Sequence, residues 1–300
     1  MLEIAHAGLV SFAVVIPVVA IFFLLLAGFA VKLPVFPLHT WLPDAHTDAP
    51  TAVSVVLAGA LLKMGGYGMI RLCVTIFPQV AQRYAPLLVA LAVVSVLYGA
   101  VVTLRQTDLK RMIAYSSISH MGYVLLGVFA LTQVSLTGAA LQMFSHGVIT
   151  GLLFAMAGVV MHNAGERDLG KFGGLARQMP IIAVVFSIGG LGALGLPTTS
   201  GFAAEFLVYI GSYSSPVFEG IKVATLLAVV GVVITAGYIL WMLMRVFYGP
   251  VLERFSGVAD ASILERAYMF AFIAVIMLVG IYPAILTDII KIGVLPIVGS

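Results

Sequence analysis

The chain has a single cysteine, Cys73, among its 300 residues, which excludes an internal disulfide and any cysteine-based metal cluster. Charge is also scarce: Asp, Glu, Lys and Arg make up 9% of the sequence, against about 25% in a soluble chain. That little charge cannot cover a water-facing globule, so a soluble enzyme is excluded. No basic run exists that could grip nucleic-acid phosphate. Also missing are a Gly-rich phosphate loop, a nucleophile beside a base, and any spacing typical of metal ligands. What the chain has instead is apolar sequence. Hydrophobic residues make up 62% and the mean hydropathy is +1.17, so lipid must be the solvent for most of its perimeter.

A spanning helix needs about 20 apolar residues. Eight stretches qualify: 9–31, 52–70, 85–104, 112–131, 136–161, 179–218, 223–244 and 267–287, followed by a short apolar tail. The first is too long, and flanked wrongly, for a cleavable signal peptide. The sixth has twice the usual length and is interrupted at Gly195-Leu-Pro-Thr-Thr-Ser-Gly201, which makes it one span of two half-helices. The first span is broken too, because Pro34 and Pro37 follow Lys32 and remove backbone donors. Broken backbone at membrane depth is tolerated only where it is buried in protein or lines a cavity.

Let side A be the face on which the first span begins. Loops and tail on side A carry Arg71, Arg83, Lys222 and Lys291; side B carries Arg105, Lys110, Arg111, Arg167, Lys171, Arg177, Arg245, Arg254 and Arg266. The positive-inside rule makes side B cytoplasmic and puts both chain ends outside. The two broken spans lie five apart, an odd offset, so they cross in opposite senses, as in an inverted repeat. The expected fold is all-α: a polytopic membrane bundle of about eight transmembrane helices, two of them broken, from an inverted five-helix repeat. Its short connections suggest one transmembrane domain over 1–300. Within it, 9–71 would end a first repeat, 85–245 would form the second, and 266–300 would be a C-terminal helix and tail. About three helices of the first repeat are then expected upstream of Met1.

An ionisable side chain at the bilayer centre costs at least about 2.5–3.5 kcal/mol and demands a reason. Lys63 lies about 18 Å into its helix at 1.5 Å per residue, near the midplane. Desolvation penalises its charged form, as suits a proton carrier; a structural ion pair is the alternative. Lys32 stands at the first break, either as a carrier or as an interfacial lysine reaching for water. His120 has Ser116 one turn earlier, while His146 has Gln142 at i−4 and Thr150 at i+4, so each sits on a polar helix stripe. Imidazoles are natural proton relays near neutral pH, although a lone buried histidine can simply pack. Glu205 follows the second break within an otherwise uncharged stretch. Thus amine, amine, imidazole, imidazole and carboxylate follow one another along the chain. His39, Asp44, His46 and Asp48 read as a loop on side B punctuated by Pro43 and Pro50, a capped turn or a proton funnel. His6 and His162 read as span-end residues, and 163–178 and 248–265 as solvated connections.

The run Lys32-Leu-Pro-Val-Phe-Pro-Leu-His-Thr-Trp-Leu-Pro-Asp-Ala-His-Thr-Asp-Ala-Pro-Thr-Ala-Val-Ser-Val-Val-Leu-Ala-Gly-Ala-Leu-Leu-Lys63 strongly resembles the antiporter-like membrane subunits of respiratory complex I. Thr107-Asp-Leu-Lys-Arg-Met-Ile-Ala-Tyr-Ser-Ser-Ile-Ser-His120-Met-Gly and Gly195-Leu-Pro-Thr-Thr-Ser-Gly-Phe-Ala-Ala-Glu205-Phe agree with it. Asp-Ala-His-Thr-Asp-Ala-Pro and the position of Glu205 favour the M-type (chain 4) subunits over the L and N types and over Mrp-type antiporter subunits. The resemblance covers nearly the whole chain.

It implies two inverted five-helix repeats and a hydrophilic axis through the membrane centre. Lys32 would be the lysine of the first broken helix, paired with a glutamate two helices upstream. Lys63 would be the central lysine, His120 and His146 the polar residues of the next two helices, and Glu205 the glutamate of the second broken helix. The implied function is proton translocation in NADH:quinone oxidoreductase, driven by quinone reduction elsewhere. No cofactor is expected on this chain; NADH, FMN, iron-sulfur clusters and quinone would belong to the rest of the complex. Implied partners are L- and N-type neighbours and lipid, in a bacterial inner membrane, with no nucleic acid. A Mrp-type antiporter or membrane-bound hydrogenase subunit of the same fold would use the same residues. A haem protein with His120 and His146 as axial ligands would leave Lys63 and Glu205 without a role.

Overall fold

A computed structural model describes residues 17–298. The proposed signal-free start of the first span and His6 lie outside the described residues. Eleven helices follow: α1 (Val18–Lys32), α2 (Trp41–Asp48), α3 (Thr51–Val74), α4 (Pro78–Thr103), α5 (Leu109–Phe129), α6 (Gln133–Ala164), α7 (Pro180–Leu194), α8 (Ser200–Tyr213), α9 (Ile221–Val246), α10 (Ile263–Ile281) and α11 (Ala284–Val298). Six of them are long and apolar enough to cross a membrane; α1 with α2, and α7 with α8, are the two broken spans.

Helix starts and stops are written locally. Pro78 and Pro180 open α4 and α7 at first-turn positions, where a missing N–H costs nothing. The Asp108 carboxylate accepts from Arg111 N at 2.9 Å to cap α5, and Thr132 with Ser135, and Ser262 with Glu265, form capping boxes on α6 and α10. The α7 N-terminus is capped from a distance, since Asp260 accepts from Ile181 N at 2.9 Å and Ile182 N at 3.2 Å. Gly195, at φ 78°, ends α7 in the left-handed conformation.

Backbone groups freed by the breaks find partners, as a low-dielectric setting requires. Phe36 N donates to Ser95 Oγ at 3.0 Å and Trp41 Nε1 to the Val31 carbonyl at 2.9 Å. At the second break Leu196 N donates to Leu191 O at 3.0 Å and Thr199 N to Leu196 O at 3.1 Å.

Helix α5 is the buried axis of the bundle, flanked by α4 and α6, whereas α9 and α10 expose long apolar faces. Helix α8 presses against α6 where Gly138 leaves room: a Cβ there would collide with the Val208 amide. One apolar cluster gathers around α1, α3, α4 and α5, a second around α6, α7 and α9, and a small third joins α6, α8 and α10. On α5 the change of cluster falls between Ala114 and Ile118, and on α6 between Met143 and Ile149. Polar side chains occupy that seam.

Three sequence expectations need correction. The stretch expected as a loop around 39–48 contains α2, an eight-residue helix, with His39 and His46 buried. The last span ends at Ile281, because Pro283 stops it, and Ala284–Val298 is a separate helix. That helix pairs Asp288 with Lys291 on its exposed side and buries Val294 and Ile297. The connections after α6 and α9 are not simply solvated, since Leu169, Phe172, Leu175, Phe255 and Ala261 are buried within them.

Candidate functional site

A π-turn, Leu57–Leu61, lies directly before Lys63 in α3, a distortion that often marks functional positions. Here α3 and α6 nearly touch, since a Cβ on Gly147 would come 2.8 Å from the Gly59 carbonyl oxygen. This close approach brings the Lys63 amine to 2.8 Å from His146 Nδ1; the amine also donates to the Ala58 carbonyl. The His146 and His120 rings lie 5.4 Å apart between centroids. His120 Nδ1 is 3.2 Å from Glu205 Oε1, and Gln142 Nε2 reaches the same oxygen at 3.5 Å.

The structure therefore brings Lys63, His146, His120 and Glu205 into one line through α3, α6, α5 and α8. His120 and His146 are each 4% exposed and Glu205 5%, so any charge among them meets neighbours before it meets water. A cavity of about 10 Å³ lies among Ser116, His120, Gln142, Ser145, His146 and Glu205, room for roughly one water. Nε2 of both histidines and Oε1 of Gln142 have no protein partner. A water there would join the two rings. Ser145 and Ser200 hydroxyls, 2.8 Å apart, pin α6 to the start of α8 beside the cavity. Amine, imidazole and carboxyl groups at such separations can pass a proton without moving a helix.

Lys32 is not part of this line. It is exposed at the end of α1 and forms no ion pair among the described residues. His39 is enclosed by Phe36 and Tyr98, at 5.6 and 5.0 Å between ring centroids, and His46 stacks on Phe154 at 4.3 Å. Asp44 pairs with Arg111 at 3.2 Å, Asp48 is exposed, and His162 is exposed at the end of α6. Sequence reasoning treats Lys110 as a loop cation, yet it is 5% exposed and donates to the Ala49 carbonyl at 2.9 Å.

It also overlooks three tyrosines near Glu205: Tyr123 and Tyr238, both buried, and Tyr209, half-buried with its hydroxyl shut off from solvent. The available signal was helical spacing, because Tyr123 is i+3 from His120 and Tyr209 is i+4 from Glu205. On side B, hydrogen bonds from Asp168 N and Arg167 N hold the Glu166 carboxyl below the usual carboxylate range, helped by Lys171 and Arg254. No three His, Cys, Asp or Glu side chains gather as a metal site among the described residues.

The model of a family described as NADH:quinone oxidoreductase/Mrp antiporter, TM matches residues 4–248. The chain is 42% identical over 271 residues to NADH-quinone oxidoreductase subunit M of Rhodobacter capsulatus, covering 90% of this chain and 52% of that protein. It is 45% identical over 294 residues to NAD(P)H-quinone oxidoreductase chain 4 1 of Synechococcus sp. (strain JA-3-3Ab), covering 96% and 55%. It thus spans about half the length of the curated relatives it matches. A chain of respiratory complex I from Thermus thermophilus superposes with TM-score 0.85 at 31% identity, over 93% of this chain and 59% of that one. A chain of the Mrp complex from Dietzia sp. DQ12-45-1b shares the fold, with TM-score 0.86 at 23% identity, over 95% and 61%.

Proposed function

Because the chain belongs to the NADH:quinone oxidoreductase/Mrp antiporter membrane family, we propose that it is a proton-translocating part of an M-type complex I subunit. The observation that carries this is the line from Lys63 through His146 and His120 to Glu205, with contacts of 2.8 Å at one end and 3.2 Å at the other. Quinone reduction elsewhere in the complex supplies the energy. This chain supplies no redox group; NADH, FMN, iron-sulfur clusters and quinone act in other subunits. Its partners are the L- and N-type membrane subunits, in a bacterial inner membrane with side B toward the cytoplasm, as the excess of Lys and Arg there supports.

The mechanism is electrostatic. A charge change in a neighbouring subunit reaches Lys32, which stands exposed where a partner can meet it, and alters the field at Lys63. At an effective dielectric of 20, two charges about 7 Å apart interact by roughly 2.4 kcal/mol, enough to redistribute a proton between neighbouring bases. Lys63 and His146 are too close to carry two positive charges together, so the pair holds one proton at a time. That proton crosses to His120 and is taken by the Glu205 carboxylate.

Identity of 42–45% to proteins named subunit M and chain 4 favours this reading over a Mrp-type antiporter, which would use the same line with another partner set. Membranes carrying the assembled complex with Lys63→Ala test it. Pumping and coupled turnover should collapse while assembly is kept. Unchanged pumping would make Lys63 structural and overturn the assignment of the line.

A further inference from the structure

At the second break the chain adopts a backbone that its residues do not favour. Thr198 has φ 79°, in the left-handed region, where a β-branched residue is strained. Such a residue persists only where its surroundings over-determine it. Part of the constraint is local: Thr199 N and Thr199 Oγ1 both donate to the Leu196 carbonyl, at 3.1 and 2.7 Å, and close the turn around Pro197. The rest comes from α10. A Cβ on Gly280 would overlap the Thr198 carbonyl oxygen and the Thr199 Cα, so the backbone of the break lies directly on the backbone of α10. Helix α10 is otherwise largely exposed, yet it buries Ile276 and Val279 beside this contact.

The turn is wedged on its other sides too. A Cβ on Gly201 would overlap the Gly192 carbonyl, so the first turn of α8 lies against the last turn of α7, while Ser200 is tied to Ser145 of α6 at 2.8 Å. Gly195, at φ 78°, completes the arrangement from the Glu205 side: a Cβ there would come 3.0 Å from Glu205 Oε2. One carboxylate oxygen therefore rests over the break, and the other faces His120 at 3.2 Å and Gln142 at 3.5 Å. Where the turn sits decides where the carboxyl sits. The Thr198 side chain is exposed and Gly280 has none, so both act through the backbone.

We propose that α10 is a brace for the second break, and that Gly280 and Thr198 are positioning residues that set the approach of the Glu205 carboxyl to His120. The brace rests on the proton-translocation reading above. It gives a role to a helix whose own ionisable residues, Glu265 and Arg266, stand at its side B end. Loss of the contact with Gly280 frees Thr198 to return to an ordinary φ, which re-routes the chain into α8 and swings its first turns. Glu205, six residues into α8, moves with them. A shift of about 1 Å in a reacting group can cost around a hundredfold in rate.

The test uses membranes with the whole assembled complex, recording proton pumping, quinone reduction and the redox-induced infrared band of the Glu205 carboxyl for Gly280→Ala, Thr198→Pro, Met269→Ala, Lys63→Ala and the double variant G280A/T198G. Proline cannot take a left-handed φ, so T198P denies the turn its conformation without altering α10. The brace predicts that G280A and T198P each lose at least about tenfold in pumping, within what such a displacement can cost, and shift the carboxyl band. Glycine is at ease in the left-handed region, so the double variant should recover most of the pumping and return the band. A plain clash would remain, because glycine keeps the carbonyl that the new methyl meets. M269A removes a buried side chain elsewhere on α10 and should lower the melting temperature with pumping per assembled complex unchanged; equal loss of pumping there reduces the effect to stability and overturns the brace. A double variant no better than G280A, in pumping or in assembly, also overturns it. If K63A stops pumping while G280A and T198P pump normally, the brace is refuted and the line stands. If K63A also pumps normally, the proton-translocation reading falls and the brace with it.

Discussion

Replacing Glu205 with glutamine keeps the shape of the side chain and its hydrogen-bond acceptor but removes its charge, so the substitution isolates what the carboxylate does for His120. With an effective dielectric of about 20, unit charges 3.2 Å apart interact by roughly 332/(20 × 3.2), about 5 kcal/mol. At about 1.36 kcal/mol per power of ten, losing that interaction is worth up to between three and four powers of ten in the step that hands a proton to position 205. Even half the attraction gives nearly a hundredfold. Aspartate retracts the carboxylate by about 1.5 Å, one carbon–carbon bond, leaving roughly 332/(20 × 4.7), about 3.5 kcal/mol. Proton pumping by inverted membrane vesicles, measured with quinone reduction recorded alongside, should fall steeply in E205Q and by less in E205D. Wild-type pumping in E205Q, or a worse defect in E205D than in E205Q, refutes the reasoning.

Four further outcomes follow from packing, capping and side-chain pairing. Gly147→Ala places a methyl 2.8 Å from the Gly59 carbonyl oxygen and should force α3 from α6, costing about 1–3 kcal/mol; the melting temperature of the purified complex would drop, and pumping with it. Asp260→Ala strips the carboxylate that receives Ile181 N and Ile182 N, and a loss of roughly 1 kcal/mol should appear in the same thermal assay with pumping per assembled complex unchanged. Ser145→Ala breaks the buried hydroxyl pair with Ser200 and should cost about 1 kcal/mol, whereas Asp44→Asn at the exposed pair with Arg111 should shift stability by less than about 1 kcal/mol.

The spans and both breaks are legible in sequence, because lipid forces apolar runs into helices and prolines or glycines must punctuate them. Ends are less so. Pro283 and the alternation of Val294 and Ile297 with exposed residues define α11, but a run of apolar letters conceals that amphipathic helix within a continuous span. The order Lys63, His120, His146, Glu205 can be read directly, and so can the polar stripes that carry the histidines. What cannot be read is adjacency. The pairing of Lys63 with His146 depends on how closely α3 approaches α6 at Gly59 and Gly147, and the seam between apolar clusters exists only once the helices pack. Tyr123 and Tyr209 escape notice for a related reason, since aromatic residues in membrane helices ordinarily read as packing until their hydroxyls are located.

Redox-triggered infrared difference spectroscopy on the assembled complex tests the central claim most directly, because it reports whether the Glu205 carboxyl changes protonation when quinone is reduced. The account predicts a protonated-carboxyl band that appears on turnover, vanishes in E205Q, and is strongly diminished in K63A because the proton no longer reaches Glu205. A band that persists unchanged in E205Q, or in K63A at matched turnover, would contradict it.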